Sequence, residues 1–111
     1  MNNTQLRTKF TIFKPEGYLS AANSSELLES LTAKVKSSQD PVVVDMEAVE
    51  FMDSAGLTVL IEGFRLAESL GRRFAICSLA PSVRIMFELT QLDKAFEIFK
   101  DRDAFQAAMQ K

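Results

Sequence analysis

The segment from Val42 to Leu57 constrains this chain more than any other stretch. It opens on Val42-Val43-Val44, a β-branched apolar run of the kind that forms a buried strand. It closes on Asp53-Ser54, two good N-cap residue types, directly before a long amphipathic stretch. The expected local structure is strand, acidic loop, helix start. A hydroxyl is then displayed at a helix N-terminus, where unpaired N–H groups and a partial positive charge suit an anion such as phosphate. Ser54 therefore has two readings from its position, a plain helix cap or a chemical switch.

The neighbours of this segment read as alternating strands and helices. Lys9 to Lys14 alternates polar and apolar residues, as a half-buried strand does. Pro15-Glu16-Gly17 turns the chain, with Gly17 free to take positive φ. Tyr18-Leu19 reads as the start of a short second strand paired back on the first. Ser24 or Ser25 is expected to cap a helix with Leu27, Leu28, Leu31 and Val35 at helical spacing. Ser37 to Pro41 ends it, since proline cannot continue a helix. After the acidic loop, a helix from Ala55 to about Leu70 puts Leu57, Leu60, Ile61, Phe64 and Ala67 on one face. Leu60 and Phe64 are expected to be buried against the sheet. Gly71 suits the helix C-terminus, and Arg72-Arg73 suit the negative end of its dipole.

Phe74 to Cys77 is a short buried strand. Pro81 fits the first turn of a helix whose apolar side holds Val83, Met86, Phe87 and Leu89. Phe96 to Phe99 alternates as a last strand, and Asp101 or Asp103 opens a final helix carrying Ala104, Phe105, Ala108 and Met109. Strands interleaved with helices imply an α/β domain with a largely parallel sheet of four to five strands and about four helices. At 111 residues the expectation is one domain over residues 1–111 with one core.

Charge and composition exclude several classes. The net charge of −2 gives no general reason to expect direct nucleic-acid binding. No apolar run approaches the ~20 residues of a membrane span. Met1 to Gln5 is polar and lacks a signal peptide's apolar region, so the cytoplasm is the expected compartment. Between Lys36 and Arg65 there is no Lys or Arg, whereas Asp40, Asp45, Glu47, Glu50, Asp53 and Glu62 all fall there. That interval reads as a solvated acidic loop, as an acidic face for a basic partner, or as both.

The chain contains no histidine and one cysteine. Neither a Ser–His nor a Cys–His nucleophilic pair can form, and a zinc site with nitrogen or sulfur ligands is not expected. Met52-Asp53-Ser54-Ala55-Gly56 resembles a nucleophile elbow only loosely, because Met52 stands where its first glycine belongs. No glycine-rich phosphate loop occurs, and the acidic residues match no calcium loop. Cys77 reads as a small core residue and the phenylalanines as core. A hydrolase that uses Ser54 is thus not expected, and no cofactor site is read in the sequence.

From Phe51 to Leu57 the sequence resembles the STAS-domain family, in particular its bacterial anti-sigma-factor antagonists of the SpoIIAA type. Gly17-Tyr18-Leu19 is similar to a Gly-x-Leu step after the family's first strand. Val42 to Asp45 is similar to its central strand, Cys77 with Pro81-Ser82-Val83 and Phe87 to its next strand and helix, and Leu89 to Phe96 to the approach to its last strand. The likeness runs from about residue 6 to residue 110.

This resemblance implies a partner-switching protein and not an enzyme. It assigns Ser54 as the residue phosphorylated by an anti-sigma factor with serine kinase activity. The unphosphorylated form would bind that factor, and a metal-dependent serine phosphatase would reset the switch. Partner-binding positions carried over are Ser20, Asp53, Ser54, Ala55, Gly56 and Leu57. Ser20 stands where the family often has an aspartate in contact with the kinase, and Ala55 where some members carry a second serine. An alternative within the family is a non-switching structural subunit of a larger signalling or lipid-transport assembly.

Overall fold

The computed structural model describes residues 9–110. Its strands are β1 (Thr11–Phe13), β2 (Gly17–Leu19), β3 (Val42–Asp45), β4 (Val49–Met52), β5 (Phe74–Cys77) and β6 (Glu97–Phe99). The helices are α1 (Ser24–Lys36), α2 (Ser54–Ser69), α3 (Pro81–Leu89) and α4 (Arg102–Met109), with a single 3₁₀ turn at Leu92–Lys94. Four strands form an all-parallel sheet in the order β1-β3-β5-β6. The expected α/β architecture with a mainly parallel sheet is what forms.

Alternation along the strands sorts their side chains onto two faces. Val42, Val44, Phe74 and Ile76 enter the main core with Leu31 and Val35 of α1, Leu57 and Leu60 of α2, and Val83 and Phe87 of α3. Val43, Ala75 and Cys77 point the other way, onto Phe105 of α4. A central strand with both faces covered has no polar face to show, which is why β3 and β5 read as continuous apolar runs. Cys77 is a buried thiol, and burial pushes its pKa up, away from reactivity. Leu60 is buried as expected, and Phe64 is half-buried, its ring 4.9 Å from that of Phe96 and 6.0 Å from that of Phe74.

Five expectations need correction. Tyr18-Leu19 does form a strand, but β2 does not pair with β1. It pairs in parallel with β4, in a separate two-stranded ladder. β4 lies inside what the sequence suggested was an irregular acidic loop. Its exposure runs buried, exposed, exposed, buried from Val49 to Met52, and the register shifts between Gly17 and Tyr18. The irregularity removes the two-residue period by which a strand is recognised. Helix α1 starts at Ser24 after Asn23, so neither Ser24 nor Ser25 is its cap. Leu89 does not join the apolar side of α3: it is 80% exposed.

The fifth correction concerns Arg72, which was expected to serve the C-terminus of α2. Its side chain is buried and turns to the C-terminus of α1. There its guanidinium donates to the carbonyl oxygens of Lys34 (2.8 Å) and Val35, and to the carbonyl oxygen of Asp40. It also donates to Thr11 Oγ1 at 2.7 Å and Ser38 Oγ at 3.1 Å. One arginine thus gathers α1, the turn after it, and β1. Arg73 instead forms a two-pronged, exposed pair with Glu97 at 2.7 and 2.5 Å, joining β5 to β6.

Candidate functional site

The β2–β4 ladder delivers the segment singled out above. β4 runs straight into Asp53, whose backbone N–H donates to Leu19 O at 3.0 Å, continuing the ladder by one bond. Asp53 then caps α2: its Oδ1 accepts from the N–H groups of Ala55 at 2.9 Å and Gly56 at 3.1 Å. Its other oxygen, Oδ2, accepts from Ala21 N–H at 3.2 Å. One carboxylate therefore ties the start of α2 to the loop that follows β2. The hydrogen bond from Gly56 is the main cause that holds the Asp53 carboxyl below the usual carboxylate range; burial opposes it, and the bonds from Ala21 and Ala55 add to it.

Ser54 is accordingly not the helix cap, which corrects the plainer of its two readings. It is the first residue of α2 and is exposed, and its hydroxyl makes no hydrogen bond to another described residue. Its carbonyl accepts from Thr58 Oγ1 at 2.9 Å. The side chain is thus free of a structural task.

Gly56 is buried because α2 passes close over β2. A Cβ on Gly56 would sit 2.5 Å from Leu19 O and 2.8 Å from Leu19 Cβ. The glycine is a requirement of that close approach, not of helix geometry. Leu57 is buried in the main core. Gly56 and Leu57 thus position the site from beneath, while Ser20, Asp53, Ser54 and Ala55 are at least partly exposed. Beside Ser54 an open groove runs between α1 and α2, lined by Ser24, Ser25, Leu28, Ala55, Thr58 and Glu62 among others.

The loop carrying Ser20 is held by a residue that sequence reasoning passed over. Asn23 Oδ1 accepts from Ser20 N–H at 2.9 Å, and Asn23 Nδ2 donates to Tyr18 O at 2.8 Å. Ser20 Oγ accepts from Ala22 N–H at 3.3 Å. An asparagine three residues after a serine, just before a helix, is the signal that could have located this clamp. The acidic interval, in contrast, does not form one face. Asp45 is buried at the end of β3 and accepts from Arg102 Nε at 3.1 Å, and Glu47 pairs with Lys14 at 3.2 Å. Glu50 and Glu62 are the exposed remainder, with Asp40 and Asp53 partly exposed. Among the described residues no cluster of carboxylates and thiols is arranged to hold a metal ion.

The family model for the STAS domain matches residues 2–104. The chain belongs to the STAS-domain family. A Bordetella bronchiseptica protein with the provisional name anti-sigma factor antagonist BtrV is 29% identical to it over 93 residues, covering 84% of this chain and 80% of that one. The crystal structure of an anti-sigma factor antagonist from Mycobacterium paratuberculosis superposes with a TM-score of 0.82 at 25% identity, over 92% of this STAS domain and 86% of that chain. The Bacillus cell fate determinant SpoIIAA, in its phosphorylated form, superposes with a TM-score of 0.67 at 16% identity, over 89% and 90% of the two chains. No described helix of this STAS domain is long and apolar enough to cross a membrane.

The Asp53 geometry has a pH signature. Its folded carboxyl ionises more readily than in the unfolded chain, so folding is favoured by ionisation. That contribution is complete above the unfolded value of about 3.9 and is lost as pH falls through the lower folded value. Asp53→Asn is expected to flatten the acid limb of a stability–pH curve below about pH 4. Chemical denaturation at stepped pH checks this; an acid limb as steep as wild type would show that Asp53 is not the group responsible.

Proposed function

We propose that this STAS domain is an anti-sigma-factor antagonist that works by partner switching through Ser54. The unphosphorylated form binds an anti-sigma factor with serine kinase activity. That kinase moves the γ-phosphoryl group of ATP onto Ser54 Oγ; the hydroxyl proton leaves, ADP departs and the complex dissociates. A metal-dependent serine phosphatase hydrolyses the ester, returning the hydroxyl and releasing inorganic phosphate. The chain itself acts as substrate and ligand and as no enzyme, in the cytoplasm.

The observation that carries this reading is the division of labour between Asp53 and Ser54. Asp53 takes the cap and the Ala55 and Gly56 amides, leaving an exposed hydroxyl with no structural task. A phosphate there would add about −1.5 to −2 charge. The two amides that could cradle it are already held by a carboxylate, so the new charge faces solvent beside Asp53. Such a charge alters the surface a partner meets and leaves the helix intact, as a reversible release signal requires. Names of relatives such as BtrV favour the same reading.

The test uses the full chain with Ser54→Ala as bait in a pull-down from native cytoplasm, followed by calorimetry on the purified kinase. Ser54→Ala is expected to bind like the unphosphorylated wild type. Ser54→Asp is expected to fold normally, since a carboxylate at a helix's first turn is favourable. Its affinity should fall only partly, because one charge replaces the nearly two of a phosphate. Equal affinities for Ser54→Asp, Ser54 phosphorylated chemically, and wild type would leave the serine without a switching role.

A further inference from the structure

The β2–β4 ladder turns an aromatic pair outward. Tyr18 and Phe51 are register partners across the strands, with ring centroids 5.7 Å apart and planes tilted by 52°. A cross-strand aromatic pair supports a short ladder, but that task alone does not require the rings to stay in water. Tyr18 is nevertheless 61% exposed and Phe51 50%. The other eight of the nine phenylalanines are buried or half-buried. The pair lies next to the switch segment in both strands, since Tyr18 precedes Ser20 by two residues and Phe51 precedes Ser54 by three.

The ground beside the rings is acidic. Glu16, Glu47 and Glu50 line one open depression, with Gly17 and Ala48 between them. Gly17 leads into Tyr18 and Glu50 into Phe51, so the depression and the aromatic pair are neighbours along both strands. Glu47 is partnered by Lys14, both exposed to solvent. Among the described residues Glu16 and Glu50 have no cationic partner. The face therefore offers two π-clouds and at least two unneutralised carboxylates. An arginine or lysine suits both. An acidic partner is repelled, and a purely apolar one would desolvate the carboxylates without pairing them.

We propose that the Tyr18–Phe51 face is a docking surface for a segment of the protein partner in which an arginine or lysine is flanked by apolar side chains. The cation sits over the rings and the Glu16 and Glu50 carboxylates, and the apolar neighbours cover the ring edges. The inference rests on the reading of this chain as an antagonist that binds a protein kinase, and it supplies the chemistry of a second contact with that partner. Neither the Tyr18 nor the Phe51 side chain takes part in the Asp53 cap, so binding at this face and switching at Ser54 can be separated by substitution.

Two arms test it. In the first, the isotopically labelled full chain is titrated by NMR with three short synthetic peptides: alternating Arg-Leu, alternating Glu-Leu, and alternating Arg-Ser. The Arg-Leu peptide is expected to shift the amides of Tyr18, Glu50 and Phe51 in a salt-dependent way, an effect lost in Phe51→Ser and in Glu50→Lys. The other two peptides should leave those amides unmoved. Absence of shifts with the Arg-Leu peptide, or equal shifts with Arg-Ser, overturns the proposal.

In the second arm, the purified kinase recovered with the Ser54→Ala bait is titrated with variants shown to be folded by circular dichroism. Phe51→Ser is expected to weaken binding roughly tenfold or more, the size of loss seen on removing an aromatic anchor. Glu50→Lys should slow association more than it speeds dissociation. Wild-type affinity for both variants overturns the docking surface, whatever Ser54→Asp does. A loss with Phe51→Ser but none with either Ser54→Asp or chemically phosphorylated Ser54 keeps the surface and removes the switch.

Discussion

Replacing Arg72 by alanine is expected to destabilise the domain by about 2–4 kcal/mol, read as a shift in the denaturation midpoint at unchanged slope. Arg72 is 3% exposed and makes five hydrogen bonds, to the carbonyls of Lys34, Val35 and Asp40 and to the hydroxyls of Thr11 and Ser38. Among the described residues no carboxylate bonds to it directly. Burial pushes its pKa down while the charge of Asp40 pulls it up, and an arginine keeps its charge through such shifts. The compensating field comes from the carbonyl end of α1, where the helix dipole is negative. Truncation strands buried acceptors and opens a void, each of which carries its own penalty. Water entering the void recovers part, which keeps the figure below the sum of the bonds. Lysine is expected to rescue little, because a single ammonium cannot reach acceptors in three segments that a planar fork spans. Stability of Arg72→Lys equal to wild type would show that charge alone, without the fork, holds α1 to β1.

Gly56→Ala is expected to destabilise by about 1–3 kcal/mol, against the sign that helix propensity gives. Glycine to alanine inside a helix ordinarily gains close to 1 kcal/mol. Here the new methyl would lie 2.5 Å from Leu19 O and 2.9 Å from Leu19 C, both backbone atoms that cannot rotate away. β2 would have to lift off α2. That motion lengthens the Asp53 N–H bond to Leu19 O and the Ala21 N–H bond to Asp53 Oδ2, so the Ser20 loop should loosen along with the strand. The contrast with Gly63 sharpens the test. A methyl at Gly63 meets Leu31 Cδ2 at 2.4 Å and Cγ at 2.9 Å, side-chain atoms that can shift where backbone atoms cannot. Gly63→Ala is therefore the milder change, and a reversed order in thermal melts would contradict the packing described.

The elements that were legible in the sequence are those whose burial is periodic and complete. β3 and β5 are covered on both faces and so appear as Val42 to Val44 and Phe74 to Cys77, apolar throughout. Helix α2 was legible because Leu57, Leu60, Phe64 and Ala67 repeat at its own period. β4 was not, because its ladder contains an irregularity and half its residues face water. The partner of β2 was not legible either: pairing between strands separated by a helix and another strand leaves no local trace. At the site, Asp53, Ser54 and Gly56 stood out in the sequence, yet cap and free hydroxyl could be told apart only by geometry. Arg72 was misplaced because a dipole argument names the nearest helix end, whereas a long side chain can serve a distant one.

The ladder of β2 and β4 shares no strand with the four-stranded sheet. Its amides are therefore expected to exchange with solvent through openings that leave the sheet closed. In deuterium exchange, Leu19, Phe51 and Asp53 would then report an opening free energy below that of Val43 and Ile76. A kinase needs a serine it can draw into its own active site. Leu19, Val49 and Met52 tie the ladder to the main core, so under the switching proposed for Ser54 the ladder's own opening would carry a packing cost smaller than that of global unfolding.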